Sequence, residues 1–312
     1  MPIKVLITGI AGFLGSSLAR RLLEEGSYDI SGLDNLSWGQ KENVPDGVRF
    51  FRADIREEAI EPFFQGVEVV FHLAAKNCIS DCQTDPGETA DINIGGTVRV
   101  LEAARRAGVR KVILAESSAV YEGTTIWPTP ETEERPRSFY AVSKACAARL
   151  AEAYSRHQGL ILTGLRYFCV YGPVQDYRRT IPPVMSAFII KFLKDECPVI
   201  FGTGHKRRDF VYVDDVNDFH MLCLTDSRTD GRAFNLGSGQ NHSVREILDL
   251  IGELLGKRPE PLFRPDLPGE AEVTLADITR ARELGWRPRT DLRSGLGKAI
   301  AYIRSEREAG RV

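Results

Sequence analysis

Three short apolar runs, Val5-Leu6-Ile7, Val69-Val70-Phe71 and Val112-Ile113-Leu114, recur between longer segments whose apolar positions return at helical spacing. Unbroken runs of this kind suit strands covered on both faces, and successive parallel strands each need a helical crossover. The pattern predicts an α/β fold with a doubly wound parallel sheet. After Gly172-Pro173 the rhythm changes to a turn at Ile181-Pro182-Pro183, a helix, and a short strand near Val199-Ile200-Phe201. Strand and helix patterns return from Asp209 to Leu224 and around Phe234-Asn235-Leu236, so two regions are expected to interleave. Residues 1–171, with return segments at about 209–236, form the larger, and 172–312 mainly the smaller. Pro259, Pro261, Pro265 and Pro268 mark an extended stretch before helical segments at Ala276 to Leu284 and Leu292 to Ile303.

A chain of 312 residues with 43% hydrophobic content can bury a large core. Its 41 basic and 43 acidic residues leave a net charge of -2, which excludes a broad field for nucleic acid or an anionic membrane. The opening MPIKVLITGI stops at a glycine turn without the apolar region of a signal peptide, and no later run is long enough to span a bilayer. The six cysteines lack the paired spacing of a zinc site, so a cytoplasmic protein with reduced thiols and no metal is expected.

The first strand runs into Gly9-Ile10-Ala11-Gly12-Phe13-Leu14-Gly15 and an amphipathic helix through Leu18, Leu22 and Leu23. Strand, glycine turn and helix N-terminus together make a cradle for a pyrophosphate. The next strand ends at Asp34-Asn35, where a carboxylate accepts from a free ribose 2′-hydroxyl and repels a 2′-phosphate, favouring NAD over NADP. Asp34 as a mere turn opener is the lesser alternative in this context.

Tyr140 and Lys144 lie four residues apart at the start of an alanine-rich helical segment, and so share one face. A phenol of pKa about 10 is a poor base near neutrality, but an adjacent ammonium favours the phenolate. Upstream, a strand ending at Ser117-Ser118 supplies a hydroxyl for a substrate oxygen. A tyrosine–lysine pair at this spacing is usually a surface pair; following a glycine-loop strand and a serine strand, it reads as catalytic. His72, inside an apolar segment, reads as structural.

On these residues the chain resembles the extended short-chain dehydrogenases of the nucleotide-sugar epimerase and dehydratase group over almost its whole length. The matching segments are TGIAGFLG from Thr8, DNLSWG from Asp34, ADI from Ala53, HLAA from His72, SSAVY from Ser117, YAVSK from Tyr140, RYFCVYGP from Arg166, RDFVYVDDV from Arg208 and FNLGSG from Phe234. The resemblance implies a Rossmann domain for NAD in the larger region and a substrate-binding smaller one. It implies that Asp54 and Ile55 border the adenine, that Leu73, Ala74, Ala75, Lys76, Asn93 and Tyr167 line the cofactor, and that Lys144 also holds the nicotinamide ribose. It implies a nucleotide sugar, a UDP-sugar by preference, bordered by Ser118, Cys169, Val184, Val199 and Phe201, with Arg208 on the diphosphate, and a homodimer built through paired helices.

Several positions depart from the family. Cys169 replaces the usual asparagine, Leu267 stands where an arginine commonly precedes Pro-Gly, and Glu122 stands where glycine is usual; Cys78 falls in a segment that faces the sugar in relatives. Ser118 and Ala119 stand where 4,6-dehydratases carry an acidic pair. Once C4 of a sugar is a ketone, an added base and acid can remove the C5 proton and expel the C6 hydroxyl. With Glu122 and Cys78 as such a pair the chain resembles the UDP-N-acetylglucosamine 5,6-dehydratases, which implies a dehydratase of a UDP-hexosamine. The alternative is a UDP-hexose or UDP-N-acetylglucosamine 4-epimerase, in which they are tolerated variation. A non-catalytic dinucleotide-binding regulator is the remote third reading.

Overall fold

The computed structural model describes residues 2–179, 181–258, 260–266 and 270–312. The chain forms two compact units, one of residues 1–125, 131–167 and 217–235, the other of 126–130, 168–216 and 236–312.

In the first unit, β1 (Ile3–Thr8), β2 (Tyr28–Asp34), β3 (Arg49–Arg52), β4 (Val69–His72), β5 (Lys111–Ser117) and β6 (Ile161–Tyr167) pair in parallel in the order β3-β2-β1-β4-β5-β6. The strand Arg232–Leu236 lies beside β6. Strand order reverses between β1 and β4, opening a crevice at their carboxyl ends where ligands of such sheets bind. Val5, Leu6 and Ile7 are all fully buried, as the unbroken apolar run requires of a strand covered on both faces. Its helices include α1 (Phe13–Glu25), α2 (Ile79–Thr84), α3 (Pro86–Ala90), α4 (Thr97–Arg106) and α5 (Phe139–Gln158), with most of the later helix Val213–Thr225. On one face, Leu6, Leu33, Val70 and Val112 pack in a core with Val100, Leu101 and Ala104 of α4 and Ala151 of α5. Buried Lys111 on β5 fastens the return segment, donating to Thr229 Oγ1 at 2.7 Å and pairing with Asp230.

The return begins at Asn217; residues 209–216, grouped with it in the sequence reading, lie in the second unit. That unit holds β7 (Cys169–Tyr171), α6 (Val184–Leu193), β8 (Val199–Phe201), β9 (Arg207–Arg208) and β10 (Phe210–Tyr212). β7 pairs with β10, β8 with Leu262–Arg264, and β9 with His242–Ser243. Buried Asp209 binds the unit together by accepting from the backbone of Ser238, Gly239 and Ala276. That last bond diverts Ala276 from the helix expected there. Helix begins only at Thr279, whose N–H is taken by Asp277 in a local turn, and runs to Glu283. The final helix, capped by Asp291, covers Leu292–Glu308. Pro259, Leu267 and Pro268 lie outside the described residues. No helix among the described residues is long and apolar enough to cross a membrane, and none of their side-chain groups forms a metal-ligand cluster. All six cysteines are free thiols.

Candidate active site

The glycine loop is dictated by contact. Gly9 has φ +75°, and a Cβ there would meet the Ala74 nitrogen at 2.7 Å; one on Gly15 would meet the Gly9 carbonyl oxygen at 2.2 Å. These approaches bring the start of α1 against β1 and the segment after β4. Gly12 caps α1 without a side-chain hydrogen bond, and the first turn, from Phe13 and Leu14, carries no acidic residue. Its unsatisfied N–H groups and positive dipole end suit a pyrophosphate. Asp34, at the end of β2, accepts from Ala11 N at 3.1 Å and Leu36 N at 2.8 Å; burial raises its pKa, and the two backbone bonds oppose this. Asn35 donates to Asp54 at 2.8 Å, and Arg56 clasps Asp54, holding that carboxyl well below its ordinary range. Ile55 is buried against Gly96, where a Cβ would meet its Cδ1 at 2.7 Å.

After β4, Leu73 N donates to the Thr8 carbonyl and Ala74 N to Thr8 Oγ1, while Ala75 carries the chain on to Lys76. Asn93 then holds the segment: its Oδ1 accepts from Lys76 N at 2.8 Å, and its Nδ2 donates to the Lys76 carbonyl and to Ser143 Oγ, both at 2.9 Å. Asn93 lies in a π-helical turn, Asp91–Gly96, between α3 and α4, and one side chain thus ties that turn and the segment after β4 to α5. Lys76 itself is buried and ion-paired with Glu88. His72 is the structural histidine expected of it: buried, 2.7 Å from Thr8 Oγ1 and 3.0 Å from Thr97 Oγ1, and pushed down to about 3 by burial and then by the Lys144 ammonium.

Lys144 is buried on α5, one turn after the partly exposed Tyr140. Burial lowers its pKa to about 8, against the opposing influence of the Glu116 carboxylate and then the Cys82 thiol. It still carries its proton at neutrality. Because the folded value lies below the unfolded one, burying the ammonium costs stability below pH 8, and this cost fades as pH rises toward about 10.5.

Ser117 closes β5 and accepts from Ala119 N at 3.1 Å, turning the chain into a 3₁₀ turn, Ser118–Tyr121. Glu122 follows directly, and its carboxylate accepts from Ser138 Oγ at 2.7 Å, Ser138 N at 2.8 Å and Arg137 N at 3.2 Å. Ser138 in turn caps α5 through Ala141 N. The carboxylate therefore fastens the turn after Ser117 to the start of the helix carrying Tyr140, at the end where the helix dipole favours an anion. Backbone bonds from Arg135 N to the Val120 carbonyl and from Gly123 N to the Arg135 carbonyl complete the join. Cys78, expected beside Glu122 in proton transfer, caps α2 with its sulfur 3.1 Å from Ser80 Oγ. Among the described residues no hydrogen bond joins it to Glu122.

Beneath Ser117, buried Arg166 of β6 reaches Glu116 at 2.8 Å, the Tyr121 hydroxyl at 2.9 Å, the Glu131 carbonyl at 2.7 Å, and Glu134. A Cβ on Gly164 would overlap Glu116 Oε1 at 2.1 Å, so this glycine makes room for the carboxylate. The Tyr167 hydroxyl lies 2.7 Å from His220 Nε2 in a buried pair.

In the second unit, Val199 and Phe201 flank buried Ile200 and are themselves partly exposed, as is Val184 at the start of α6. The Cys169 thiol on β7 is pushed up to about 11 by burial, with Arg208 pulling the other way. Arg208 is largely buried, donates to the carbonyls of Arg207 and Glu272, and lies 3.5 Å from Glu270.

A doubly wound sheet with an uncapped glycine-loop helix and a buried lysine one turn from a tyrosine defines a dinucleotide-dependent enzyme of hydroxyl oxidation. The chain belongs to the NAD dependent epimerase/dehydratase family, whose pattern it matches over residues 5–237. The UDP-glucose 4-epimerase of Mycolicibacterium smegmatis is 36% identical over 313 residues, covering 97% of this chain and 99% of that protein. The crystal structure of UDP-glucose 4-epimerase with UDP-glucose from Thermotoga maritima is 36% identical with a TM-score of 0.94, covering 97% and 99%. The Thermus thermophilus UDP-glucose 4-epimerase complex with NAD is 34% identical with a TM-score of 0.90, covering 97% and 99%. NAD is the cofactor, and the Gly9–Gly15 cradle and Asp34 fit it.

Proposed function

We propose that this protein is a UDP-sugar 4-epimerase, in place of the 5,6-dehydratase that Glu122 and Cys78 suggest from the sequence. The observation carrying this reading is the Glu122 carboxylate, committed by three hydrogen bonds to the start of α5 beside a complete Ser117, Tyr140 and Lys144 set. A 4-epimerase needs that set and no further base. The 4-epimerases named above support the same choice.

In this reading the Tyr140 phenolate, favoured by the Lys144 ammonium, takes the proton of the sugar C4 hydroxyl, and Ser117 Oγ holds the same oxygen. Bound NAD, held by the Gly9–Gly15 loop and Asp34, would supply the acceptor and donor for the C4 hydride. Tyr140 gives its proton back to the C4 oxygen once the 4-keto sugar has rotated to present its other face to the hydride, so one residue serves both halves of a redox-neutral cycle. Val184, Val199 and Phe201 border the base, with Ser118 and Cys169 toward the sugar and Arg208 on the diphosphate.

Proton NMR of UDP-glucose, UDP-N-acetylglucosamine and UDP-glucuronate incubated separately with the protein in deuterated water tests this. Inversion at C4 without C5 exchange is expected, and new alkene signals would reinstate elimination. In the same assay Glu122→Gln is expected to slow C4 inversion without introducing or abolishing C5 exchange. Selective loss of exchange in that variant would make Glu122 a proton carrier.

A homodimer is also proposed. Phe139, Val142 and Leu150 are exposed along α5, an unusual cost for a soluble surface unless a second helix covers them. Analytical ultracentrifugation is expected to give a dimer, converted to monomer by Val142→Glu with Leu150→Glu; a parent that sediments as a monomer would refute the pairing.

A further inference from the structure

Lys206 directly precedes β9 and Arg208 ends it; both reach one carboxylate, that of Glu270, while Arg207 between them pairs with Glu246. Their side chains are only 7% and 15% exposed, against 37% for Arg207. Two cations sunk side by side repel each other, and burial penalises both. The compensation comes from the segment after Leu262–Arg264. Asp266 lies 2.6 Å from Lys206 Nζ, and a single oxygen of Glu270 lies 3.5 Å from both Lys206 Nζ and Arg208 Nη2. Glu272 is a more distant third carboxylate, 3.9 Å from Lys206 Nζ, and Asp266 and Glu270 are held differently from each other. Asp266 is close to its lysine and packs on Gly202, where a Cβ would come within 2.7 Å of its carboxylate. Glu270 bridges both cations at a distance where each contact is long and weak. Among the described residues Arg208 otherwise donates to backbone carbonyls, at 3.1 and 3.5 Å, which orient the guanidinium without neutralising it.

We propose that Lys206 is a second cation of the diphosphate site beside Arg208, and that Glu270 is an internal counter-ion which the diphosphate displaces. The inference rests on the UDP-sugar reading. A pyrophosphate link offers two charged groups a few ångströms apart to two cations that share one carboxylate. It replaces one long, shared carboxylate contact with direct charge-assisted bonds to each cation. Asp266 stays in place and keeps Lys206 aimed. A monophosphate reaches one cation and leaves Glu270 bound to the other, so the arrangement selects nucleoside diphosphates.

Calorimetry with UDP, UMP and uridine on the NAD-loaded protein, at low and high salt without divalent cations, tests this. Glu270→Gln is expected to tighten UDP about three- to tenfold at low salt, with a smaller gain at high salt and none for uridine. Lys206→Met is expected to weaken UDP about tenfold or more and to leave uridine unchanged. Should Lys206→Met fold poorly, Glu270→Gln decides by itself, because a merely structural ion pair would lower the melting temperature and leave UDP affinity unchanged or weaker. UDP binding by the parent with no gain in Glu270→Gln overturns the counter-ion; UDP binding by folded Lys206→Met as tight as the parent's overturns the cation. Failure of the parent to bind UDP at all removes the UDP-sugar reading itself, a result distinct from either.

Discussion

Tyr140→Phe is expected to lower UDP-sugar turnover at least about 10²-fold, with UDP affinity unchanged. The substitution removes one oxygen and almost no volume at a partly exposed position, so α5 and its cap at Ser138 stay intact. What it removes is the group that takes the C4 proton. Lys144 is no substitute: its pKa of about 8 keeps it protonated at neutrality, and its buried place one turn away orients it as an electrostatic partner. Turnover by NMR and UDP binding by calorimetry separate the two quantities. Near-parental turnover would mean that another residue accepts the proton.

Arg166→Met is expected to destabilise the fold by about 3–5 kcal/mol, because breaking a buried ion pair leaves an uncompensated charge. Glu116 is the partner that suffers. It is buried, packed against Gly164, and Arg166 Nε at 2.8 Å is its near counter-charge. Glu134 loses its interior partner but keeps exposed Arg149. Adding Glu116→Gln should restore much of the loss, since the stranded charge is then gone. Urea unfolding of the two single variants and the double variant measures this. Equal destabilisation in the single Arg166→Met variant and in the double would place the cost in lost packing instead of stranded charge.

The strand–helix alternation, the glycine loop and the Tyr140–Lys144 spacing were legible because each depends on neighbours within one or two turns of chain. The return from Asn217 to Asn235 was legible only approximately, since apolar runs reveal strands and not their sheet partners. Glu122 reads as a base in the sequence for a physical reason. A carboxylate in a segment expected to face the sugar looks like a base until its partners are known, and those partners, Arg137 and Ser138, lie about fifteen positions away as backbone and hydroxyl donors. Glu116 escaped notice because its partner sits on a parallel strand. Its one local trace is Gly164, opposite Leu114 and two positions before Arg166. Lys206 likewise lay hidden in the charged run from His205 to Asp209, and its link to Glu270 spans more than sixty positions.

The strand Arg232–Leu236 lies outside β6, and Lys111 on β5 finds its hydroxyl and carboxylate at Thr229 and Asp230. On a ribosome, β1 to β6 are complete once Tyr167 has emerged, yet β6 is then a bare sheet margin and the Lys111 ammonium lacks its counter-charge. Both defects persist while residues 168–216 are being made. A nascent chain carrying the whole glycine loop, Ser117, Tyr140 and Lys144 is therefore still an open-edged intermediate, and a gene cut after residue 167 encodes a sticky fragment and not a cofactor-binding module.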